Sequence, residues 1–406
     1  MSGPSVSVVI VSHGRPESLL WCLSALAGVE YQPFEIVVVA DLAGCAYVGQ
    51  SPYAGRVKLV AYDAPNIAAA RNTGVAEAAG EIIAFIDDDA AAEPLWLKHL
   101  VAGFELADVM CTGGYVRGRN GISYQWSARQ VDRAGRAKPL LAQEKLAPFV
   151  AEPEAGFAVK TEGTNMAVRR DVLVALGGFD EAFHFYLDET DLNLRLASAH
   201  HKTALCPSAE VHHAYKASTR RKADRTVTDL FDVGASTVVL LRKFGQPLEP
   251  RCSEMRAEQA ERLAGQVGRG RLGADAAAQV MQSLEAGFDA GQRRRPEQYP
   301  DRLHHPSGFL AFLPDRRGSV TLSGRWWRRG ALRRKAAALA AQGVSVSLYL
   351  FSLDARFHHV RYDAAGYWEQ SGGQFGRADR DAPLLQLMGF GKRLKQEQNR
   401  VKPTRG

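Results

Sequence analysis

The 406-residue chain is short of cysteine, and what it has is scattered. Its five cysteines, at positions 22, 45, 111, 206 and 252, are odd in number and show no CxxC spacing. That pattern excludes a disulfide framework and a cysteine-built zinc site, and it suits reduced thiols in a cytoplasm. Long hydrophobic runs are also missing: none approaches the roughly 18 apolar residues of a membrane-crossing helix. The opening residues lack a basic stretch followed by a cleavable apolar core, so no secretory signal is expected. Arginine is plentiful, but no DNA- or RNA-binding motif accompanies it, and nucleic acid is not an expected partner.

What is present is a dense acidic knot. An apolar run, Ile82 to Ile86, drives straight into Asp87-Asp88-Asp89. Pro94 and the apolar-periodic Leu95, Trp96, Leu97, Leu100 and Val101 follow. This pattern predicts a buried strand, a short acidic loop and a helix. Three adjacent carboxylates repel one another unless a cation occupies the site. A hard divalent ion shared between carboxylates and a substrate phosphate suits such a cluster.

The surroundings predict an α/β fold. Val6 to Val11 reads as a strand followed by Ser12-His13-Gly14-Arg15-Pro16, and Phe34 to Ala40 as a second strand ending at Asp41. Pro65-Asn66-Ile67 opens a helix that carries Arg71 and Asn72. Strands alternating with helices at this spacing give a largely parallel sheet with ligands beyond the strands' carboxyl ends. Asp41 and Asp87 to Asp89 stand at such ends.

Seven segments in order resemble the family 2 glycosyltransferases of the GT-A fold: SVSVVIVSHGRPE, FEIVVVAD, NIAAARNTG, EIIAFIDDDAAAEP, EGTNMAVRRDVLVALGGFDEAF, YLDETDLNLRL and CPSAEVHH. The resemblance covers roughly residues 5 to 240. It implies transfer of a sugar from a nucleotide diphosphate sugar to a hydroxyl acceptor, with inversion and a divalent metal, Mn²⁺ or Mg²⁺. It makes Asp87 and Asp89 the D-x-D pair, with Asp89 the first choice as direct metal ligand and Asp88 directed at the ribose. Asp41 matches the residue that meets the base, although Leu42-Ala43-Gly44 departs from the second acid and Gly-Ser common in the family. Arg71 and Asn72 are expected on the donor side, and Thr164 and Asn165 against donor or acceptor. In Asp188-Glu189-Thr190-Asp191-Leu192, Glu189 holds the position of the general base and Asp188 is the runner-up, the order being inverted from the usual Glu-Asp. Asp191 and Arg195 form a structural i,i+4 pair. Of the histidines after Ala209 to Val211, His212 is preferred as metal or diphosphate contact.

Two other readings stand beside this one. A sugar nucleotidyltransferase requires a glycine-rich, basic loop after the first strand, and Ser12 to Pro16 is too short for that. A catalytically inactive glycan-binding scaffold is the second, against which the intact acids weigh.

Charge divides the chain. Residues 1–215 carry 17 Lys+Arg against 25 Asp+Glu, and residues 216–406 carry 34 against 19. A basic second half points to anionic partners. For a glycan-building enzyme these are a lipid-linked acceptor or the inner face of an anionic membrane. The catalytic domain is expected to span 1–245, ending with a helix over 224–244. A helical and linker region covers 246–307. A small α/β module covers 308–370, with a strand at 309–313, a helix at 330–342 and a strand at 344–351, faintly similar to the opening of GT-B glycosyltransferases. Residues 371–406 are expected to be a basic, disordered tail serving localisation rather than chemistry.

Overall fold

A computed structural model describes residues 3–141, 146–300, 303, 307–313 and 317–406. Its centre is a mixed sheet. Across it run Phe149–Val150, Lys202–His213, Val109–Arg117, Met166–Arg169, Ile82–Asp87, Val6–Ser12, Phe34–Ala40 and Lys58–Ala61. The last two and their neighbours Val6–Ser12 and Ile82–Asp87 are mutually parallel, whereas Met166–Arg169 is antiparallel to both of its neighbours. The central strands read as continuous apolar runs because both faces are covered, as in parallel sheets generally. All seven residues of Phe34–Ala40 are buried. Register carries the site: Val11 lies opposite Asp87, and Ser12 opposite Ala40, so three carboxyl ends finish on one line.

After the acidic loop the chain makes a short strand, Ala90–Ala92, which pairs antiparallel with Val211–His213. The strand Lys202–His213 is therefore longer than the sequence suggests. Its end bends away from Phe149–Val150 and runs alongside the acidic loop.

The helix expected over 224–244 is Phe231–Lys243. It packs with helices Leu248–Gly268 and Ala274–Arg293 through Leu241, Met255, Leu284 and Phe288. Gly287 and Gly291 permit this contact: a Cβ at Gly287 would lie 2.1 Å from the Phe231 carbonyl oxygen.

The basic second half differs from expectation. A four-stranded sheet, ordered Ser319–Arg325, Ser345–Ser352, Tyr367–Gly373, His359–Asp363, carries helix Arg329–Ala340 on one face. Val346, Leu348 and Leu350 face that helix. Tyr349 and Phe351 face the other way, against a second helix, Phe390–Arg405. The period of two along Ser345–Ser352 thus feeds two cores. Two corrections follow. The expected disordered tail ends in a 16-residue helix with Arg393, Glu397, Val401 and Arg405 buried. The expected first strand at 309–313 is no strand: Phe312 instead plugs the core beside the large sheet, its ring 5.4 Å from that of Phe34. Beyond the strand–helix–strand unit, nothing supports the likeness to a GT-B opening.

The candidate donor and acceptor site

The acidic loop is held from below and from the sides. Asp88 is fully buried; its carboxylate accepts a 2.7 Å hydrogen bond from the Ser12 hydroxyl and pairs with Arg15. Burial pushes its pKa up to about 7, against the opposing pull of Arg15. Asp89 is also buried, which alone would raise its pKa. His213, Arg15 and the Lys216 backbone N–H outweigh burial and hold it well below the usual carboxylate range. Asp87 remains partly open, its side chain 31% exposed, with the Arg71 guanidinium 3.6 Å away.

Asp87, Asp89 and His213 each offer one ligand atom, and these atoms lie within 4.8 Å of one another. The His213 ring sits between Trp126 and Tyr215. Its Nδ1 faces the Gln125 side-chain oxygen at 3.1 Å, and its Nε2 faces an Asp89 oxygen at 3.1 Å. With Nδ1–H donating to Gln125, the Nε2 lone pair points at a carboxylate. That is the orientation in which a second partner fixes a metal-ligating imidazole, whereas a proton on Nε2 donates to Asp89 instead. Two carboxylates and an imidazole suit Mn²⁺ or Mg²⁺ with open positions left for phosphate oxygens.

His212 is the residue the sequence preferred, and the structure corrects this. Neighbours on a strand point to opposite faces. His212 points away from the acidic loop, its Nε2 2.8 Å from Glu93 and its ring 4.7 Å from that of Trp368. Glu93, Glu210 and His212 form a second group of potential ligands. Arginines already neutralise it: Arg405 binds Glu93 at 2.7 and 2.8 Å, and Arg117 binds Glu210 at 2.9 and 2.6 Å.

Across the cleft, helix Asp188–Ser198 begins after Tyr186 and Leu187, both at positive φ. This turn presents Asp188 and Glu189 to different partners. Asp188 is buried and pairs with Arg71. Gly163 makes room for that pairing, since a Cβ there would lie 2.3 Å from an Arg71 nitrogen. Glu189 pairs with the buried Lys160 at 2.7 Å. Burial and the neighbouring Glu189 push Asp188 up, whereas Lys160 draws Glu189 down despite burial. The two adjacent carboxyls are thus pushed in opposite directions, Asp188 toward its neutral form and Glu189 toward its ionised form.

The remaining expected residues divide into cleft and scaffold. Asp41 caps helix Leu42–Gly49 through Gly44 N–H and also accepts from Gly14 N–H, both at 2.8 Å. A carboxylate can accept further bonds, so its place at the end of Phe34–Ala40 still allows contact with a base. Asn72 is committed to the scaffold: its amide binds Phe179 backbone groups at 2.8 Å and Glu181 at 3.1 Å. Asn165 likewise accepts from the Trp96 indole and donates to the Tyr115 and Ala209 carbonyls. Neither is free to meet a ligand as the sequence reading expected. Thr164 is buried with its hydroxyl unpaired among the described residues.

A sequence model described as glycosyltransferase-like family 2 matches residues 4–228. The chain belongs to this family. Relatives include a glucosyl-dolichyl phosphate glucuronosyltransferase of Haloferax volcanii, 29% identical over 188 residues, covering 43% of this chain and 56% of the relative. The O-antigen biosynthesis protein RfbC of Myxococcus xanthus is 28% identical over 240 residues, covering 54% and 18%. A pre-mycofactocin glycosyltransferase of Mycobacterium tuberculosis is 27% identical over 230 residues, covering 54% and 45%. The chain therefore spans between about a fifth and a little over half of these relatives' lengths. A solved mannosyltransferase of Pyrobaculum calidifontis, in complex with GDP-Man and Mn²⁺, is 16% identical with a TM-score of 0.43, covering 72% of this chain and 88% of that one. Family membership agrees with the GT-A type of sheet described above.

Arg15, Lys160 and Gln125 carry no role in the sequence reading, and His213 stands there as the less favoured of two histidines. Arg15 follows the first strand and reaches Asp88 and Asp89. Lys160 was hidden in an unremarkable strand end. Gln125 and His213 come together only through register. Just beyond His213, the loop 214–228 carries Lys216, Arg220, Arg221, Lys222 and Arg225; the Lys216 N–H donates to Asp89, Arg221 and Arg225 stack on Tyr215, and Arg220 pairs with Asp232. A run of five cations in ten residues was the available signal.

Proposed function

We propose that the protein is an inverting, metal-dependent glycosyltransferase that moves a sugar from a nucleotide diphosphate sugar to a hydroxyl on a glycan or lipid-linked acceptor. The observation that carries this reading is the opposition of two acidic groups across one cleft: Asp87, Asp89 and His213 on one side, Glu189 and Asp188 on the other, bridged by Arg71.

Asp87, Asp89 and His213 are the residues that would hold the ion. Held there, such an ion would supply charge neutralisation for the departing diphosphate. Arg15, and the loop that starts at Lys216, supply further positive charge near the same phosphates. Arg71 ties the donor side to Asp188. Glu189, held ionised by Lys160, is poised to take the proton of the attacking hydroxyl. Its pairing with Lys160 lowers its basicity, so acceptor binding must loosen that pair before proton transfer. Asp41 meets the base end of the donor. Attack from the Glu189 side, opposite the diphosphate, gives inversion.

The test is release of nucleoside diphosphate from a panel of UDP, GDP and dTDP sugars by the full chain, with Mn²⁺ or Mg²⁺ and with chelator. Release that needs the metal supports the reading. Tight metal-free nucleotide release, or none with any sugar under any metal, overturns it.

A further inference from the structure

The module at 319–406 is fastened to the back of the metal-binding end of the sheet. The short strand Ala90–Ala92 comes directly after the acidic loop, and it pairs with the strand end that carries His213. One face of this pair carries Asp89 and His213. The other is covered by the module: Ala91 and Ala25 pack against Val360 and Trp368. The Trp368 ring also lies against His212, the residue beside His213.

Hydrogen bonds lock the same junction. Arg405 reaches 312 residues back to grip Glu93, which lies four residues after Asp89. Both side chains are more than nine-tenths buried, and Arg405 stacks on Trp368 at 4.3 Å. The Thr404 carbonyl accepts from Leu95 N–H at 2.9 Å, and His99 Nε2 lies 2.6 Å from the Pro403 carbonyl oxygen. Glu93 joins Arg405 to His212, so one carboxylate touches both the module and the strand of the candidate metal ligand.

We propose that this module is a built-in part of the donor site, with Arg405 a positioning residue that sets His213 against the acidic loop through Glu93 and His212. The inference rests on the metal reading of Asp87, Asp89 and His213. It replaces the expectation that residues after 245 act only in localisation.

The experiment measures Mn²⁺ binding to the full chain by the electron-paramagnetic-resonance signal of free Mn²⁺, beside the thermal midpoint. Arg405→Ala, acting through Glu93 and His212, is expected to weaken Mn²⁺ binding several-fold and by no more than His212→Asn does, and Arg405→Lys to recover part of it. Arg333→Met breaks an ion pair with Glu369 inside the module, and should lower the midpoint without moving Mn²⁺ affinity. Trp368→Leu leaves both Glu93 and Arg405 in the chain but removes the ring that His212 and Arg405 lie against, and should weaken Mn²⁺ binding several-fold. Arg405→Ala that is folded and binds Mn²⁺ like the parent overturns the inference. If Arg405→Ala does not fold, an unchanged affinity in Trp368→Leu does so instead. No Mn²⁺ uptake by the parent chain overturns the metal reading itself, a separate result.

Discussion

His212 and His213 end one strand, and each completes a triad of one imidazole and two carboxylates. The two triads differ in where their positive charge comes from. Around His212, Arg405 and Arg117 neutralise Glu93 and Glu210, and the group is sealed beneath the module. Around His213, Asp87 is partly open, and Arg15 is shared between Asp88 and Asp89. The lesson is that ligand types at ligand spacing do not define a metal site. What distinguishes one is an incomplete charge balance and an opening to the solvent from which ion and phosphate arrive.

The largest effect should come from the open triad. Asp89→Ala is expected to abolish Mn²⁺ uptake and cut turnover by about 10³ or more, since a metal supplies several kcal/mol of charge stabilisation. Equal losses from Asp89→Ala and Glu93→Gln, measured as Mn²⁺ affinity, would erase the distinction between the triads.

The acceptor side should respond differently. Glu189→Gln preserves shape and removes the proton acceptor, so turnover should fall by roughly 10²–10⁴ while Mn²⁺ affinity stays near that of the parent. Single-turnover rates with saturating donor provide the check. If Asp188→Asn is crippling and Glu189→Gln is not, the base is the wrong carboxyl. Between the histidines, His213→Ala should weaken Mn²⁺ binding by about 10²-fold and His212→Asn by no more than about tenfold, acting at one remove. The reverse order would return the ligand role to His212.

That last contrast marks where the sequence stopped being legible. The apolar run into Asp87-Asp88-Asp89 is local, and so is the strand–loop–helix it dictates. The order of the family segments made the sheet and both acidic groups readable. Which of two adjacent histidines faces the loop depends on register between Ala90–Ala92 and Val211–His213, and a period of two fixes that they differ without fixing which is which. Asn72 and Asn165 stand in the matching segments, yet their amides complete buried backbone hydrogen bonds, a need invisible until the crossing strands are known. The last helix was read as a tail because its own residues are polar and basic. Its order comes from partners far along the chain, Glu93 above all, and composition does not report such partners.

The sealed triad makes the smallest and most specific prediction, on stability against pH. Arg405 and His212 hold the buried Glu93 at a pKa of about 2, lowered from an ordinary 4.5 despite burial. A depressed carboxylate contributes stability that is fully present above the unfolded value, and loses it as pH falls through the window from about 4.5 to about 2. Glu93→Gln lacks this titration. At pH 7 the variant should be less stable than the parent, because Arg405 is left buried without its counter-charge. At pH 3.5 the unfolded parent takes up a proton at this residue and the folded parent does not. The gap should then narrow, by on the order of 1 kcal/mol. Other carboxylates titrate in both proteins and cancel in the difference, and His212, whose own titration depends on Glu93, is replaced by Asn in both chains. Urea unfolding of the two full chains at pH 7 and pH 3.5 measures it. A gap that stays constant or widens at the lower pH would mean that the Glu93–Arg405 pair does not hold the module to the sheet in solution.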